Sequence, residues 1–136
     1  MIRILMGLKG AGKTKTFIDW VNAAVSEESG DVVCINKDNR LLYDLNHNAR
    51  LIDSEQFSIT NFDVFYGFLC GLIAENFDIT HIFIDSILKV VPTDMQSLDA
   101  FVEKLETLSE KFNVSFSFTI SDDAKEKTPN IKKYLQ

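Results

Sequence analysis

Residues Gly7 to Thr14 read GLKGAGKT, and they follow directly on the apolar run Ile2, Ile4, Leu5 and Met6. This is a complete GxxxxGK(S/T) pattern placed after a short strand. With average usage of Gly, Lys, Ser and Thr, a chance match in a chain of 136 residues is expected about 0.5% of the time. Pattern and context together predict a phosphate-binding loop between a first strand and a first helix.

The chemistry needs these residue types at this spacing. Gly7, Gly10 and Gly12 let the backbone take sterically restricted conformations, so that successive N–H groups turn inward around an anion with no Cβ in the way. The helix that follows adds its unpaired N-terminal N–H groups and the positive end of its dipole. Lys13 is expected to reach the β and γ phosphates, and the Thr14 hydroxyl to hold Mg²⁺. Leu8, Lys9, Ala11 and Lys15 complete the set expected to line a bound nucleoside triphosphate. A dimeric subclass of phosphate-loop ATPases carries a signature lysine directly after the first glycine. Leu8 stands there in this chain, so Lys9 reads as a solvated loop lysine and the subclass is not carried over.

Such a loop needs a carboxylate to hold the water shell of Mg²⁺, normally at the C-terminal end of an apolar strand beside the loop strand. Asp85 closes the run His81 to Ile84 and fits that role. It is therefore expected to act with Lys13 in any catalysis, and with Thr14 at the metal. Ser86 follows where many ATPases place a glutamate to polarise the attacking water. The arginines are Arg3, Arg40 and Arg50, so a self-supplied arginine reaches the phosphates only from the loop after the second strand. Binding is expected with at most slow, partner-dependent hydrolysis, on the order of 10⁻³ s⁻¹ or below.

Outward from this site, strand and helix signals alternate, which predicts an α/β fold: three layers, with a mostly parallel five-stranded sheet and helices on both faces. Phe17, Val21, Ala24 and Val25 recur at helical spacing over about Gly12 to Ser26, and Gly30 reads as the stop. Asp31 to Asn36 (DVVCIN) is a buried strand, and Leu51 and Ile52 form at most a short third one. A second helix is expected over Asn61 to Asn76, opened by a capping box from Thr60 to Asp63 and carrying the apolar stripe Phe62, Phe65, Tyr66, Leu69, Ile73, Phe77. Gly67 and Gly71 suggest close packing of that helix on the sheet.

Thr80 to Asp85 is the next strand, and Asp94 to Phe112 the third helix, with Leu98, Phe101, Val102, Leu105, Leu108 and Phe112 facing the core. In the last strand, Val114 to Ile120, apolar residues alternate with Ser115, Ser117 and Thr119, the pattern of a half-polar edge strand. Thr119, Ser121 and Asp122 end it where a γ-phosphate sensor is placed in related ATPases. The nucleotide domain thus spans 1–120, and 121–136 reads as a polar, mobile tail whose end docks weakly as one helical turn.

Composition excludes several classes. The apolar content of 46% is ample for one core. A net charge of −6 and a pI near 4.8 argue against nucleic acid as a partner, since phosphate backbones are met by basic stripes. No run approaches the ~18 to 20 apolar residues of a membrane span and no signal-peptide pattern leads the chain, so a cytoplasmic location is expected. Cys34 and Cys70 lie in apolar surroundings and make neither a disulfide framework nor a zinc site. His47 and His81 are too far apart in the pattern to form a metal pair.

The loop Asn36 to Arg50 (NKDNRLLYDLNHNAR) is the richest polar stretch. Leaving the C-terminal end of a parallel strand, it is expected to overhang the site. Lys37, Asp38, Arg40, Tyr43 and Asp44 are its candidates for contacting a base, a second substrate or a protein partner. NKDN over Asn36 to Asn39 is not the guanine-reading NKxD, so base identity stays open, with ATP favoured only as the commonest case.

Together, GLKGAGKT, DVVCINKDNRLLYDLNHNAR and FYGFLCGLIAENFDITHIFID resemble a family of small phosphate-loop proteins of anaerobic Gram-positive bacteria, over most of the chain. Its members are often labelled ATP-binding or PilT-like; the second label implies a much longer hexameric motor, so the resemblance implies nucleotide binding alone. A more distant likeness is to small thymidine kinases, in which a strand ends in Lys, Asp and Arg as Lys37, Asp38 and Arg40 do here. Asp85 is not followed by Glu and the four zinc-lobe cysteines are missing, which removes the source of a thymidine pocket. The expected function is binding of a nucleoside triphosphate with Mg²⁺, with a partner or self-association supplying missing groups. A nucleotide-sensing interaction module without turnover and a small-molecule kinase are the alternatives.

Overall fold

The computed structural model describes residues 1–8, 10, 12–121 and 127–136. Its strands are β1 (Ile2–Met6), β2 (Asp31–Asn36), β3 (Arg50–Asp53), β4 (Ile79–Ile84) and β5 (Ser115–Ile120). They form one sheet in the order β1-β5-β4-β2-β3, and every pairing is parallel. Helix α1 (Lys13–Glu27) covers one face. The other carries α2 (Phe62–Glu75), the single turn α3 (Ile87–Val90), α4 (Met95–Phe112) and the short α5 (Pro129–Tyr134). The protein is therefore a three-layer α/β fold.

The two faces have cores of different character. On the α1 side, Phe17, Val21 and Ala24 meet Val32, Cys34 and Phe83, with the Phe17 ring edge-on to Phe83 at 5.8 Å. Burial in this apolar core raises the Cys34 thiol far above its ordinary value, so it stays a neutral hydrophobe. On the opposite side, α2 and α4 bury Phe65, Leu69, Ile73, Leu98, Phe101, Val102 and Leu105 against Ile82, Ile84, Phe116 and Phe118. Each such side chain stabilises the fold by about 1.5–3 kcal/mol relative to exposure. No helix among the described residues is long and apolar enough to cross a membrane.

Strand order corrects one expectation directly. The alternation of β5 suggested an edge, yet β5 lies inside the sheet between β1 and β4, with Ser117 and Thr119 almost inaccessible. Its hydroxyls face the α1 layer and are satisfied there: Ser117 Oγ lies 2.8 Å from His81 Nε2, and Thr119 Oγ1 bonds Asp85. Buried polar groups are tolerated when each finds a partner, and alternation alone cannot tell solvent from a buried polar row. His81 is likewise buried, with Nδ1 at 2.7 Å from Glu28 and its ring stacked on Phe83.

Glycine and cap positions differ as well. α1 ends at Glu27 with Glu28 extended, so Gly30 is not the stop. It is needed because a Cβ there would collide with Thr80 and the Asp78 carbonyl oxygen. Gly67 and Gly71 lie on the exposed side of α2, and nothing approaches within 4 Å of where their Cβ atoms would be, so they make no close packing. The N-cap of α2 is Asn61, whose Oδ1 accepts from the Val64 N–H at 2.9 Å, rather than Thr60. Phe77 and Phe112, expected in the core, are exposed and stack on each other at 6.4 Å.

At the far end of the chain, α5 packs on α4 and β1 with Ile131 fully buried, and Asp99 accepts from the Asn130 N–H at 2.9 Å. Leu135 then bridges Ile4, and the Gln136 N–H donates to the Ile4 carbonyl at 3.0 Å. The C-terminus thereby pairs with the otherwise open edge of β1, an arrangement that blunts edge-to-edge association.

Candidate functional site

Parallel strands deliver their carboxyl ends to one edge of the sheet, and residues of one face recur with period two. Counting from Val32 and Cys34 puts Asn36 on the α1 face of β2. Counting from His81 and Phe83 puts Asp85 just past β4 on the same face, and Ser117 does so for Thr119 of β5. These side chains form a buried row. Thr119 Oγ1 donates to Asp85 Oδ1 at 3.0 Å, and Asn36 Nδ2 lies 3.4 Å from Asp85 Oδ2.

Asp85 closes its strand as expected from the sequence, but β4 is not beside the loop strand, because β5 intervenes. The two still approach electrostatically. The Lys13 ammonium is held below its ordinary value, chiefly by partial burial, while the Asp85 charge opposes that shift. Lys89, on α3, adds a repulsion that lowers it further. Arg40 thus bonds the buried Asp85 carboxylate directly, while Lys13 feels the charge of Asp85 and the repulsion of Lys89. Lys89 carried no sequence signal, because α3 is one turn of helix with no periodicity to place it.

The glycine-rich loop bridges β1 and α1. The Gly7 N–H continues the sheet ladder to the Ile120 carbonyl at 3.1 Å. Gly10 and Gly12 have φ of 89° and 82°, conformations that favour glycine, whereas Gly7 has no positive φ. Gly12 is the N-cap of α1 and has no side chain to cap it, so among the described residues no side chain caps the first N–H groups of the helix. Lys13 folds back over the loop, Nζ donating to the Leu8 carbonyl at 3.0 Å. Leu8, Thr14 and Lys15 are exposed beside it. Lys9, Ala11 and Asp122 lie outside the described residues.

The loop after β2 is pinned rather than loose. Leu41 and Leu45 are buried against α1, and Asn22 of that helix clamps the loop: its Oδ1 accepts from the Asn46 N–H at 2.7 Å and its Nδ2 donates to the Asp44 carbonyl at 3.2 Å. This anchoring brings Arg40 to the site, where Nη2 donates to Asp85 Oδ2 at 2.9 Å. Asp38 accepts from the Arg40 N–H at 3.0 Å and shapes the turn. Lys37 and Tyr43 are exposed, with Tyr43 at 93%.

Ser86 turns the chain immediately after Asp85 in a left-handed conformation, φ 52°. Its N–H donates to Thr119 Oγ1 at 2.7 Å and its Oγ lies 3.3 Å from Ser121 Oγ. The residue that takes the place of a water-polarising glutamate is therefore buried and engaged within the protein.

A hydroxyl and one carboxylate, Thr14 and Asp85, are hard oxygen donors that suit Mg²⁺ when phosphates and water complete its shell. Among the described residues no group of three or more His, Cys, Asp or Glu could hold a metal by itself. A separate cleft of about 360 Å³ opens between the N-termini of α2 and α4, lined by Thr60, Asn61, Phe62, Thr93, Ser97 and Lys104. Compared with protein-family models and with curated proteins, the chain matches none.

Proposed function

We propose that the protein binds a nucleoside triphosphate with Mg²⁺, ATP being the default, at the glycine-rich loop and the carboxyl end of the sheet. One observation carries this reading: GLKGAGKT forms the β1–α1 turn, with Gly10 and Gly12 at positive φ and an uncapped helix N-terminus behind it. The repulsion between Lys13 and Lys89, with Arg40 already paired to Asp85, supports a polyanionic ligand. Lys13 neutralises the terminal phosphates, Thr14 and Asp85 hold the metal with its waters, and Leu8, Gly10, Gly12 and Lys15 line the ligand. The bound metal supplies charge neutralisation between the phosphates. The resemblance to small phosphate-loop proteins of anaerobic bacteria agrees with this role, in the cytoplasm.

Hydrolysis by the isolated chain is slow, about 10⁻³ s⁻¹ or less, because Ser86 offers no carboxylate and is turned into the protein. A partner or second copy supplies what is missing. The cleft between α2 and α4, at the same end of the sheet, favours a small-molecule kinase as the second reading.

Calorimetric titration of wild type and Lys13→Ala with ATP and GTP, with and without Mg²⁺, tests the proposal. Micromolar binding, about −8 kcal/mol, that weakens at least tenfold in Lys13→Ala is expected. Flat titrations of the wild type with either nucleotide would overturn it.

A further inference from the structure

Asp85 has three side-chain partners with very different freedom. Thr119 and Asn36 are buried, fixed by strands β5 and β2, and hold one oxygen each. Arg40 is the third, and its side chain is 48% exposed while that of Asp85 is 5% exposed. The guanidinium is thus the solvent-side cover of an otherwise enclosed carboxylate. A divalent cation coming to Asp85 meets that positive charge at the open side, and like charges at such short range repel strongly when one of them is partly buried.

We propose that Arg40 gates Asp85, excluding a free divalent cation and admitting one only when a polyphosphate arrives with it. The inference rests on the nucleotide reading for its final step alone. Arg40 has a second anchor close at hand, since Asp38 Oδ1 lies 3.9 Å from its Nε and accepts from its N–H. A triphosphate offers further oxygen acceptors, pairs of which the planar guanidinium fork can bind at once. With Arg40 moved onto phosphate or Asp38, Asp85 Oδ2 keeps only the longer 3.4 Å contact to Asn36 Nδ2 and gains a free lone pair on its solvent side. Metal affinity and nucleotide affinity then become coupled, each raising the other by the same factor.

The clamp by Asn22 confines the change to the segment that bears Arg40. Leu41 and Leu45 stay seated against α1, so the device is a side-chain and turn rearrangement rather than a loop opening.

Manganese binding without nucleotide, followed by electron paramagnetic resonance on the full chain, tests the gate independently of phosphate chemistry. Wild type and Arg40→Lys are expected to show no saturable site in the millimolar range. Arg40→Gln is expected to gain one site, at least tenfold tighter than any in wild type, that Asp85→Asn added to it abolishes. Cooperative unfolding of each variant checks that the fold is retained. Equal manganese affinity in wild type and Arg40→Gln, or no site in either, would overturn the gate. Failure of the parent reading looks different: it leaves this manganese pattern intact while wild type fails to bind triphosphate.

Discussion

Thr119 Oγ1 donates to Asp85 Oδ1 at 3.0 Å and at the same time accepts from the Ser86 N–H at 2.7 Å. One hydroxyl on β5 therefore orients the carboxylate and satisfies the strained turn that follows it. Thr119→Val keeps the shape and removes both bonds, leaving a buried N–H without its acceptor. A loss of about 1–3 kcal/mol is expected. Denaturant unfolding should show a lower midpoint with an unchanged slope, and Thr119→Ser should restore most of the difference.

His81 makes stability depend on pH in a defined direction. Burial lowers its pKa below the ordinary 6.5, outweighing the opposing pull of Glu28, while Arg3 and the N-terminal amine lower it further. The unfolded chain then takes up a proton near pH 6.5 that the native state refuses. The contribution is complete above the unfolded pKa and is lost as pH falls from there toward the lower, folded value. Each unit of depression corresponds to about 1.4 kcal/mol. His81→Gln, which cannot titrate, should flatten the stability profile below pH 6.5 when melting is compared between pH 5 and 8.

Gly67 and Gly71 occupy helix interior positions with open space around them. Replacing either by Ala reduces the entropy of the unfolded chain without meeting any atom. A gain of about 0.5–1 kcal/mol each is expected. Gly30→Ala should act oppositely and cost about 1–3 kcal/mol, because the new methyl meets the Asp78 carbonyl, which is backbone. Thermal melts of the three single variants check both signs.

Ile131 ties the last helix into the larger core. Ile131→Ala should cost about 2–5 kcal/mol, measured by denaturant unfolding. Removing residues 129–136 should in addition uncover the β1 edge that Leu135 and Gln136 now pair. Concentration-dependent association of the truncated chain, followed by analytical ultracentrifugation, is the expected sign.

Much was legible locally. The apolar periodicity of α1 and α4 reported their buried faces within a residue or two of the observed ends, because burial on one side of a helix is written into spacing. Asp85 as a strand end was equally plain. The same reasoning placed Phe77 and Phe112 inside and read Gly67 and Gly71 as packing contacts, since spacing gives a direction and not what fills it. Lys89 and Asn22 could have been reached only by asking which neighbours a strand end and a loop must share.

The sequence by itself determined the alternation of strand and helix, the parallel sheet, and the position of the glycine-rich loop at the first strand–helix turn. These follow from short-range periodicity and from conformations that glycine favours. Only the tertiary structure decided that β5 separates β1 from β4, that its hydroxyls are buried rather than solvated, and that Arg40 closes on Asp85 from 45 residues away. Strand order and such long-range pairs depend on which faces meet after the chain collapses, and a period-two pattern is the same whichever neighbour a strand finds.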